Sequence, residues 1–526
     1  MSQMLKSSGA MGVATLLSRV LGMVREMVFA NFMGDGAVAS AFNFAFMIPN
    51  LFRRLLGEGA LTAAFIPIFK DKEKNAGEVE MWRAANAVIS GLVVAVAVLT
   101  GLVMLGITVA LSAMSLEDNT RLMLELLRLM FPYLWVICLT AIFMGMLNAR
   151  GSFFIPAMGS AVMNIVLISS VYLSASKWLA PILGQRLETQ IFGLAIGALL
   201  AGLAQALFQL PNLHSNGFRW QWVSPWRDET VREVVRKMIP GMLGVAAFQL
   251  NIVVTNAVAF SEDDTIVASF SYAVRLMELP QGVFGISLAT FLLPALSGLA
   301  AEKNFGEFRS TLGHGMRHLL FLNLLASILL IILAEPIIRL LFQHGQFDDG
   351  STHRASRALM FLAPGLIAFS MVNILARAFY ALGDTTTPMK ISIFCLAINL
   401  IFALYFIGQY KQAGLGLANT LSAIFNVSLL TFALRKKLRR LDLMELRKII
   451  APLLGAGVAA GLVAFGALQW SRQTLGTTGL WPRLVSVFGP MALATVVYLA
   501  LTSWLRVAVA VEFLNFLLAR ARRKKN

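Results

Sequence analysis

Long apolar runs, separated by short polar breaks, follow one another along the whole chain. Most exceed the roughly 20 residues that an α-helix needs to cross a bilayer and are too long for membrane β-strands of about 10 residues. In lipid, every backbone polar group must be bonded internally. The pattern predicts about fourteen membrane-spanning helices. They lie near residues 8–33, 38–69, 84–112, 121–148, 152–174, 189–211, 234–260, 265–299, 311–334, 352–382, 387–409, 413–435, 447–470 and 482–517.

The composition agrees with a membrane protein and excludes other classes. Hydrophobic residues make up 58% of the 526 residues and charged residues 13%, against about 25% charged in soluble domains. Cys138 and Cys395 each lie inside an apolar run, so neither a disulfide framework nor a cysteine-based metal site is expected. The net charge of +17 comes from Lys and Arg in short loops. That distribution indicates membrane topology rather than nucleic-acid binding.

The loop charges also predict the orientation. An even number of spans places both termini on one side, and basic residues concentrate in the loops of that side. By the positive-inside rule this side is cytoplasmic. We therefore expect a multi-pass membrane protein with both termini in the cytoplasm. The basic segments are residues 70–83, 219–237, 435–440 and 520–525.

A weak internal repeat predicts the domain organisation. Residues 148–156 and 380–388 carry Ala, Gly and Pro in the same register, and both link corresponding spans. Each half has six spans with the same topology, so the repeat would be parallel. The sequence thus predicts an all-α membrane protein with two six-helix lobes in pseudo-twofold arrangement. The expected divisions are 1–213, 214–440 and, for two extra helices with a basic tail, 441–526.

Ionisable residues deep inside the predicted spans are the main functional signal. Each such charge costs about 2.5–3.5 kcal/mol at the bilayer centre. A glutamate three or four residues along a helix can pair with an arginine. The arginines nevertheless outnumber the acids. One interpretation is a set of internal salt bridges that fix helix packing, and the favoured one is an electropositive cavity. The residues are Arg19, Arg25 and Glu26, then Arg53, Arg54 and Glu58, then Arg275 and Glu278.

Helix breakers lie beside two of these groups. Pro49, next to Asn50, precedes Arg53, and Pro280 follows Glu278. Proline removes a backbone donor, and kinked helices near mid-membrane charges are typical of transporter substrate sites. No nucleotide-binding loop, zinc-protease helix or nucleophile elbow is present, so we expect no enzyme, no cofactor and no metal site.

Several segments resemble the MurJ (MviN) lipid II flippases, and the likeness covers essentially the whole chain. The most specific is the second span, with AFNFAF at 41–46, PNLFRR at 49–54, EGA at 58–60 and AFIP at 64–67. Further likenesses are SRVLG at 18–22 with Arg25, RLME at 275–278 with Pro280, and FQHGQF at 342–347.

The resemblance implies a fold, a substrate and residue roles. That family belongs to the multidrug/oligosaccharidyl-lipid/polysaccharide (MOP) exporter superfamily, which implies two lobes in alternating access. Arg19, Arg25, Arg53 and Arg275 match its cavity arginines. It also implies that the last two helices form a groove for the undecaprenyl tail. Ser40 and Val274 stand where well-known members carry Asp, which puts any role of those acids in gating or proton handling in doubt here.

From this resemblance we expect a flippase of the bacterial plasma (inner) membrane that moves an undecaprenyl-pyrophosphate-linked peptidoglycan precursor from the inner to the outer leaflet. Arg19, Arg25, Arg53, Arg54 and Arg275 would bind the pyrophosphate, because guanidinium groups grip phosphate oxygens in pairs. Two alternatives stay open: a flippase for another lipid-linked glycan, and a drug or cation antiporter of the same superfamily. The expected partners are the lipid-linked precursor and membrane lipids, and coupling to the membrane potential or to a cation is left open.

Overall fold

A computed structural model describes residues 2–55, 60–441 and 444–523. Every regular element in this part of the chain is a helix, which confirms the predicted all-α class. The chain forms two compact units, residues 1–268 with 344–347, and residues 269–343 with 348–526. The sequence placed its lobe boundary near residue 213. The division into two six-helix lobes and a C-terminal pair stays a prediction.

The first unit is built from nine helices and the start of a tenth within the described residues. They are α1 (Ser2–Met33), α2 (Ala37–Arg53), α3 (Ala60–Ala113), α4 (Asp118–Met130), α5 (Tyr133–Ala149), α6 (Phe154–Ser174), α7 (Ala180–Leu183), α8 (Leu187–Ser215), α9 (Glu229–Glu262) and α10 (Ile266–Pro280).

The second unit begins at Ser269, within α10. This helix continues into a π-helix at Gln281–Ile286. The helices that follow are α11 (Ser287–Ala301), α12 (Phe305–Ile332), α13 (Ala334–Phe342), α14 (Asp349–Leu362), α15 (Gly365–Ala381), α16 (Thr386–Tyr410), α17 (Gln412–Lys437), α18 (Met444–Leu475), α19 (Leu480–Trp504) and α20 (Ala508–Arg523).

Nine helices in the described part of the chain are long and apolar enough to cross a membrane, or eleven spans if each of two bent pairs is one span. The predicted count of fourteen is not confirmed. One predicted boundary was wrong. The last predicted span reaches residue 517, whereas α19 ends at Trp504. Apolar composition continues beyond Trp504, so hydropathy could not locate this end. The span predicted over 38–69 includes residues 56–59, which lie outside the described residues, so its continuity stays a prediction.

The bent pairs lie at matching places in the two halves of the sequence. α4 and α5 meet at 46° beside Pro132, and α14 and α15 meet at 47° beside Pro364. Gly151 and Gly383, in the loops that follow, have φ of 82° and 73°. Proline causes each bend, because it cannot donate the hydrogen bond that would continue the helix. An internal repeat would place such prolines at matching positions in the two halves.

Small residues allow helices to pack closely within each unit. A Cβ at Gly197 of α8 would lie 2.3 Å from Ser170 of α6. A Cβ at Gly457 of α18 would lie 2.6 Å from Ile328 of α12. Glycine at such positions lets neighbouring membrane helices approach closely. α18 is therefore closely packed against α12 of its own unit.

Candidate functional site

Arg25 contacts both its own helix and a neighbouring one. Its Nη1 donates to Asn164 Oδ1 on α6 at 3.0 Å, and its Nη2 forms an ion pair with Glu26. Its guanidinium carbon lies 5.6 Å from the centre of the Phe29 ring. Asn164 Nδ2 in turn donates to the carbonyl of Ser18 at 3.2 Å. One amide side chain thus joins α6 to α1 and orients the guanidinium.

One buried donor of the Arg25 side chain has no partner within the described residues. Arg25 and Glu26 side chains are 16% and 10% exposed. Arg25 Nε is buried and has no hydrogen-bond partner within the described residues. An unbonded buried donor is costly unless something accepts its hydrogen. A phosphate oxygen is an acceptor of the right charge. Arg19, six residues earlier on α1, is exposed.

The second predicted group lies at the end of α2. Pro49 is buried and Asn50 Nδ2 donates to the carbonyl of Phe46 at 2.9 Å. The Asn50 side chain thus bonds back onto its own helix, one turn earlier. Arg53 is half-buried and Arg54 is exposed. Glu58 lies outside the described residues, so its predicted pairing with Arg54 stays a prediction.

The third group pairs within its own helix. Arg275 Nη1 donates to Glu278 Oε2 at 3.0 Å, three residues along α10. Both side chains are about half exposed, at 46% and 51%. Pro280 ends the α-helix and the π-helical turn Gln281–Ile286 follows. π-helical turns inside α-helices frequently mark functional sites. The kink expected from the proline therefore takes the form of a widened turn.

The two positions that depart from the family pattern are packed rather than charged. Ser40 on α2 is fully buried, and its Oγ accepts the backbone N–H of Ala268 at 3.2 Å. Val274 on α10 packs against a cluster that contains Met277, Leu362 and Leu366. A buried hydroxyl and a branched alkyl group hold helices together at these positions. Neither can change its charge.

A polar network, not expected from the sequence, joins helices of the second unit. Arg339 Nη2 lies 3.0 Å from Glu335 and its Nη1 lies 3.0 Å from Asp349. Arg472 of α18 lies 3.2 Å from Glu335. A cavity of about 220 Å³ is lined by Glu335, Arg339, Asp349, Thr352 and His353. Burial opposes ionisation of Glu335, but Arg472 and Arg339 outweigh it and lower the pKa of this carboxyl.

Among the described residues, one cluster of side chains could hold a metal ion. His314 and His318 on α12 lie beside Glu512 on α20. The sequence reasoning expected no metal site and missed this group. The two histidines stand one helical turn apart, a spacing that could have signalled a shared face. The glutamate lies almost two hundred residues away in sequence, so only the fold brings it there.

The sequence is similar to those of lipid II flippases. The family model described as "Lipid II flippase MurJ" matches residues 29–486. A "Probable lipid II flippase MurJ" of Vibrio cholerae is 33% identical over 517 residues, which covers 95% of each chain. The "Lipid II flippase MurJ" of Burkholderia cenocepacia is 31% identical over 501 residues, covering 93% of this chain and 94% of the relative.

The fold is similar to those of solved transporters. A lipid II flippase MurJ in an inward closed conformation superposes with a TM-score of 0.75 at 24% identity, covering 94% of this chain and 98% of that one. A multidrug resistance MATE family transporter of the MOP superfamily, in an inward-facing conformation, has a TM-score of 0.61 at 14% identity. It covers 80% of this chain and 95% of that one. These likenesses show the shared fold.

Proposed function

This chain belongs to the lipid II flippase MurJ family, and from that premise we propose that it moves lipid II across the plasma membrane of a bacterium. The observation that carries the proposal is the family match, which runs through nearly all of the chain. The substrate would be an undecaprenyl-pyrophosphate-linked peptidoglycan precursor, moved from the inner to the outer leaflet. The chain acts as a transporter and not as an enzyme.

The arginine site is the part of the proposal that the local geometry supports. Arg19, Arg25, Arg53, Arg54 and Arg275 are proposed to bind the pyrophosphate. Arg25 supports this best, because Asn164 and Glu26 fix its guanidinium while its buried Nε keeps a free donor direction. A guanidinium held in one orientation loses less entropy on binding phosphate than a mobile one. Glu26, Glu58, Glu278, Pro49, Asn50 and Pro280 are proposed to support these arginines and shape the helices around them.

The transport cycle is proposed to be alternating access of the two predicted lobes. The substrate would bias the inward and outward states through different contacts in each. The exposed face of α18, with Leu454, Val458, Leu462 and Phe465, is apolar along its length. Such a face can lie against an undecaprenyl chain as well as against lipid. We propose that α18 and α19 guide the tail while the headgroup crosses.

A cation or drug antiporter is the less supported alternative. It would need carboxylates to hold cations, and Glu26 is already engaged by Arg25. A flippase for another lipid-linked glycan would use the same pyrophosphate chemistry, and only the family match argues against it. Coupling of transport to a cation or to the membrane potential stays an open part of the proposal.

The test is complementation of a bacterium depleted of its own lipid II flippase, with lipid II in each leaflet measured by an externally added modifying enzyme. The wild-type chain should restore growth and the outer-leaflet pool, and Arg53→Ala should restore neither at equal membrane level. Arg186→Ala, at an exposed position before α8, is the matched control and should behave as wild type. Accumulation of a different lipid-linked glycan on depletion would reject lipid II as the substrate.

The proposed orientation has its own test. Glu262→Cys should be labelled by an impermeant thiol reagent in intact cells, whereas Lys436→Cys should be labelled only after permeabilisation. Both positions are exposed. Cys138 and Cys395 are buried and should give no background. Reversed labelling would overturn the cytoplasmic placement of the termini.

A further inference from the structure

We propose that His314, His318 and Glu512 form a binding site for a divalent transition-metal ion that fastens the C-terminal helix α20 to α12. This site is separate from the arginines and goes beyond the transport function. One turn of α12 supplies both histidines, and α20 supplies the carboxylate. The three ligand atoms lie within 4.8 Å of one another.

The distances fit metal ligands better than a hydrogen-bonded group. His314 Nε2 and His318 Nε2 each lie 3.4 Å from the same oxygen, Glu512 Oε2. A charge-assisted N–H···O bond is normally about 2.7–2.9 Å long. Nitrogen and oxygen ligands bound about 2.0–2.2 Å from a tetrahedral zinc ion lie about 3.4 Å from each other. Both contacts have the length of an edge of such a tetrahedron.

The surroundings of His318 prepare it as a ligand. Its Nδ1 lies 3.0 Å from the backbone carbonyl of His314. Because a carbonyl only accepts, Nδ1 carries the proton and Nε2 presents its lone pair towards Glu512. Metal-binding histidines commonly donate their other ring N–H to such a group, which fixes the tautomer.

His314 needs one rearrangement before it can bind a metal. Its Nδ1 lies 3.3 Å from Arg317 Nη2, and a guanidinium only donates. The neutral ring therefore carries its proton at Nε2. Metal binding at Nε2 releases that proton to solvent while Nδ1 takes one up, so Arg317 must turn away. The guanidinium can then pair with Glu445, whose carboxylate already lies 3.9 Å from Arg317 Nη1.

The cluster lies where α20 docks. Phe513, next to Glu512, packs edge-on against Phe321 of α12 with ring centres 6.0 Å apart. Phe321 also stacks on Tyr498, whose hydroxyl donates to the Phe321 carbonyl at 2.9 Å. A metal here would join two helices that already share an apolar contact. On the predicted topology this is the cytoplasmic end of α12.

The ligand set selects the kind of ion. Two imidazoles and one carboxylate suit Zn²⁺, whereas Mg²⁺ and Ca²⁺ prefer oxygen ligands. His314 and Glu512 are about half exposed, so water can occupy the fourth coordination position. The site would be three-coordinate in protein ligands and open to solvent. Loss of one of three ligands should weaken binding at least about tenfold.

The experiment measures metal binding to the full chain, purified in detergent with a histidine-free affinity tag and stripped with a chelator. Isothermal titration with Zn²⁺ should show one site per chain, and Mg²⁺ in excess should not compete. His314→Ala, His318→Ala and Glu512→Gln should each weaken this binding at least about tenfold. His344→Ala, at an exposed loop position, is the matched control and should bind as wild type.

Two further measurements decide the proposal. Arg317→Ala should tighten Zn²⁺ binding, because it removes the donor that competes for His314. Hydrogen exchange in residues 508–515 should slow when Zn²⁺ is added to wild type and stay unchanged in Glu512→Gln. Three results would each overturn the site as a link between α20 and α12. They are the absence of saturable binding, wild-type binding by a variant that combines His314→Ala, His318→Ala and Glu512→Gln, and binding that leaves exchange in α20 unaltered.

Discussion

Two arginine–glutamate pairs, one on α1 and one on α10, have similar residues and different surroundings. Arg25 and Glu26 are nearly buried, and Asn164 from another helix holds the arginine. Arg275 and Glu278 are half exposed and bridge three residues of a single helix. An exposed pair of this kind contributes about 0–1 kcal/mol to stability, whereas breaking a buried pair costs about 3–5 kcal/mol.

The difference in burial distinguishes an arginine that stabilises the fold from one that contributes little to stability. Under the proposed function, both folding and substrate binding depend on the Arg25 side chain, because its removal takes away a partner of the buried Glu26. At Arg275, the ion pair with Glu278 is half exposed and contributes little to folding, whereas the proposed function gives this arginine a role in substrate binding. Substitution of Arg25 should therefore reduce both stability and function, whereas substitution of Arg275 should reduce function alone.

The largest effect is expected at Arg25. Arg25→Ala should lower the unfolding free energy by about 3–5 kcal/mol, measured as thermal unfolding in detergent, and should abolish complementation. The double variant Arg25→Leu with Glu26→Leu should recover most of the stability and remain inactive. Recovery of activity together with stability would mean that Arg25 only braces the helix, and the contrast with Arg275 would disappear.

Arg275 should show a loss of function without a loss of stability. Complementation should fall in the order wild type, Arg275→Lys, Arg275→Ala, since lysine keeps the charge and loses the paired geometry. The alanine variant should lose about tenfold to a hundredfold in substrate affinity, corresponding to about 1.5–3 kcal/mol. Its unfolding temperature should match that of Arg186→Ala. Restored function in Arg275→Leu with Glu278→Leu would instead assign this pair to helix packing.

Asn164 tests whether the orientation of Arg25 matters. Asn164→Ala keeps the Arg25–Glu26 pair and removes the bond that aims the guanidinium. We expect about 1 kcal/mol of lost binding, or about a fivefold lower affinity, with near-normal membrane levels. Combining Asn164→Ala with Arg25→Ala should be no worse than Arg25→Ala alone. Additive losses would show that Asn164 acts on its own.

The smallest effect concerns an ion pair in a loop, outside both kinds of site. Lys437 lies 2.6 Å from Asp384, and the Thr387 backbone N–H donates to the same carboxyl at 3.0 Å. Together they lower the pKa of Asp384 from 3.8 to about 2. A carboxyl with a depressed pKa stabilises the folded state fully above its unfolded value, so this contribution should be lost as the pH falls from about 4 to about 2.

The matched variant is Asp384→Asn, which should be slightly less stable than wild type at pH 6 and equally stable at pH 2. Thermal unfolding across this range measures the difference. A constant difference between the two proteins at every pH would contradict the assigned cause.

Sequence could predict what depends on neighbours along a helix. The all-α class followed from run length, and the Arg275–Glu278 contact followed from helical spacing. Asn164 was not predicted as a partner of Arg25, because an amide in an apolar helix has many ways to be satisfied. The helix end at Trp504 was missed because apolar residues continue beyond it. The His314–Glu512 approach depends on how α20 folds back, which no local pattern contains.

Two glycines in the first unit, Gly34 and Gly345, restrict which substitutions evolution can accept at their positions. Gly34, after α1, has φ of 61°, and a Cβ there would lie 2.6 Å from the Gln346 carbonyl oxygen. Gly345 has φ of 56°, and a Cβ there would lie 2.4 Å from the Asn31 carbonyl oxygen. Each position excludes side chains both by backbone angle and by space. Replacing either glycine should destabilise the protein unless the segment facing it also changes. Homologous sequences should therefore keep both glycines or replace both.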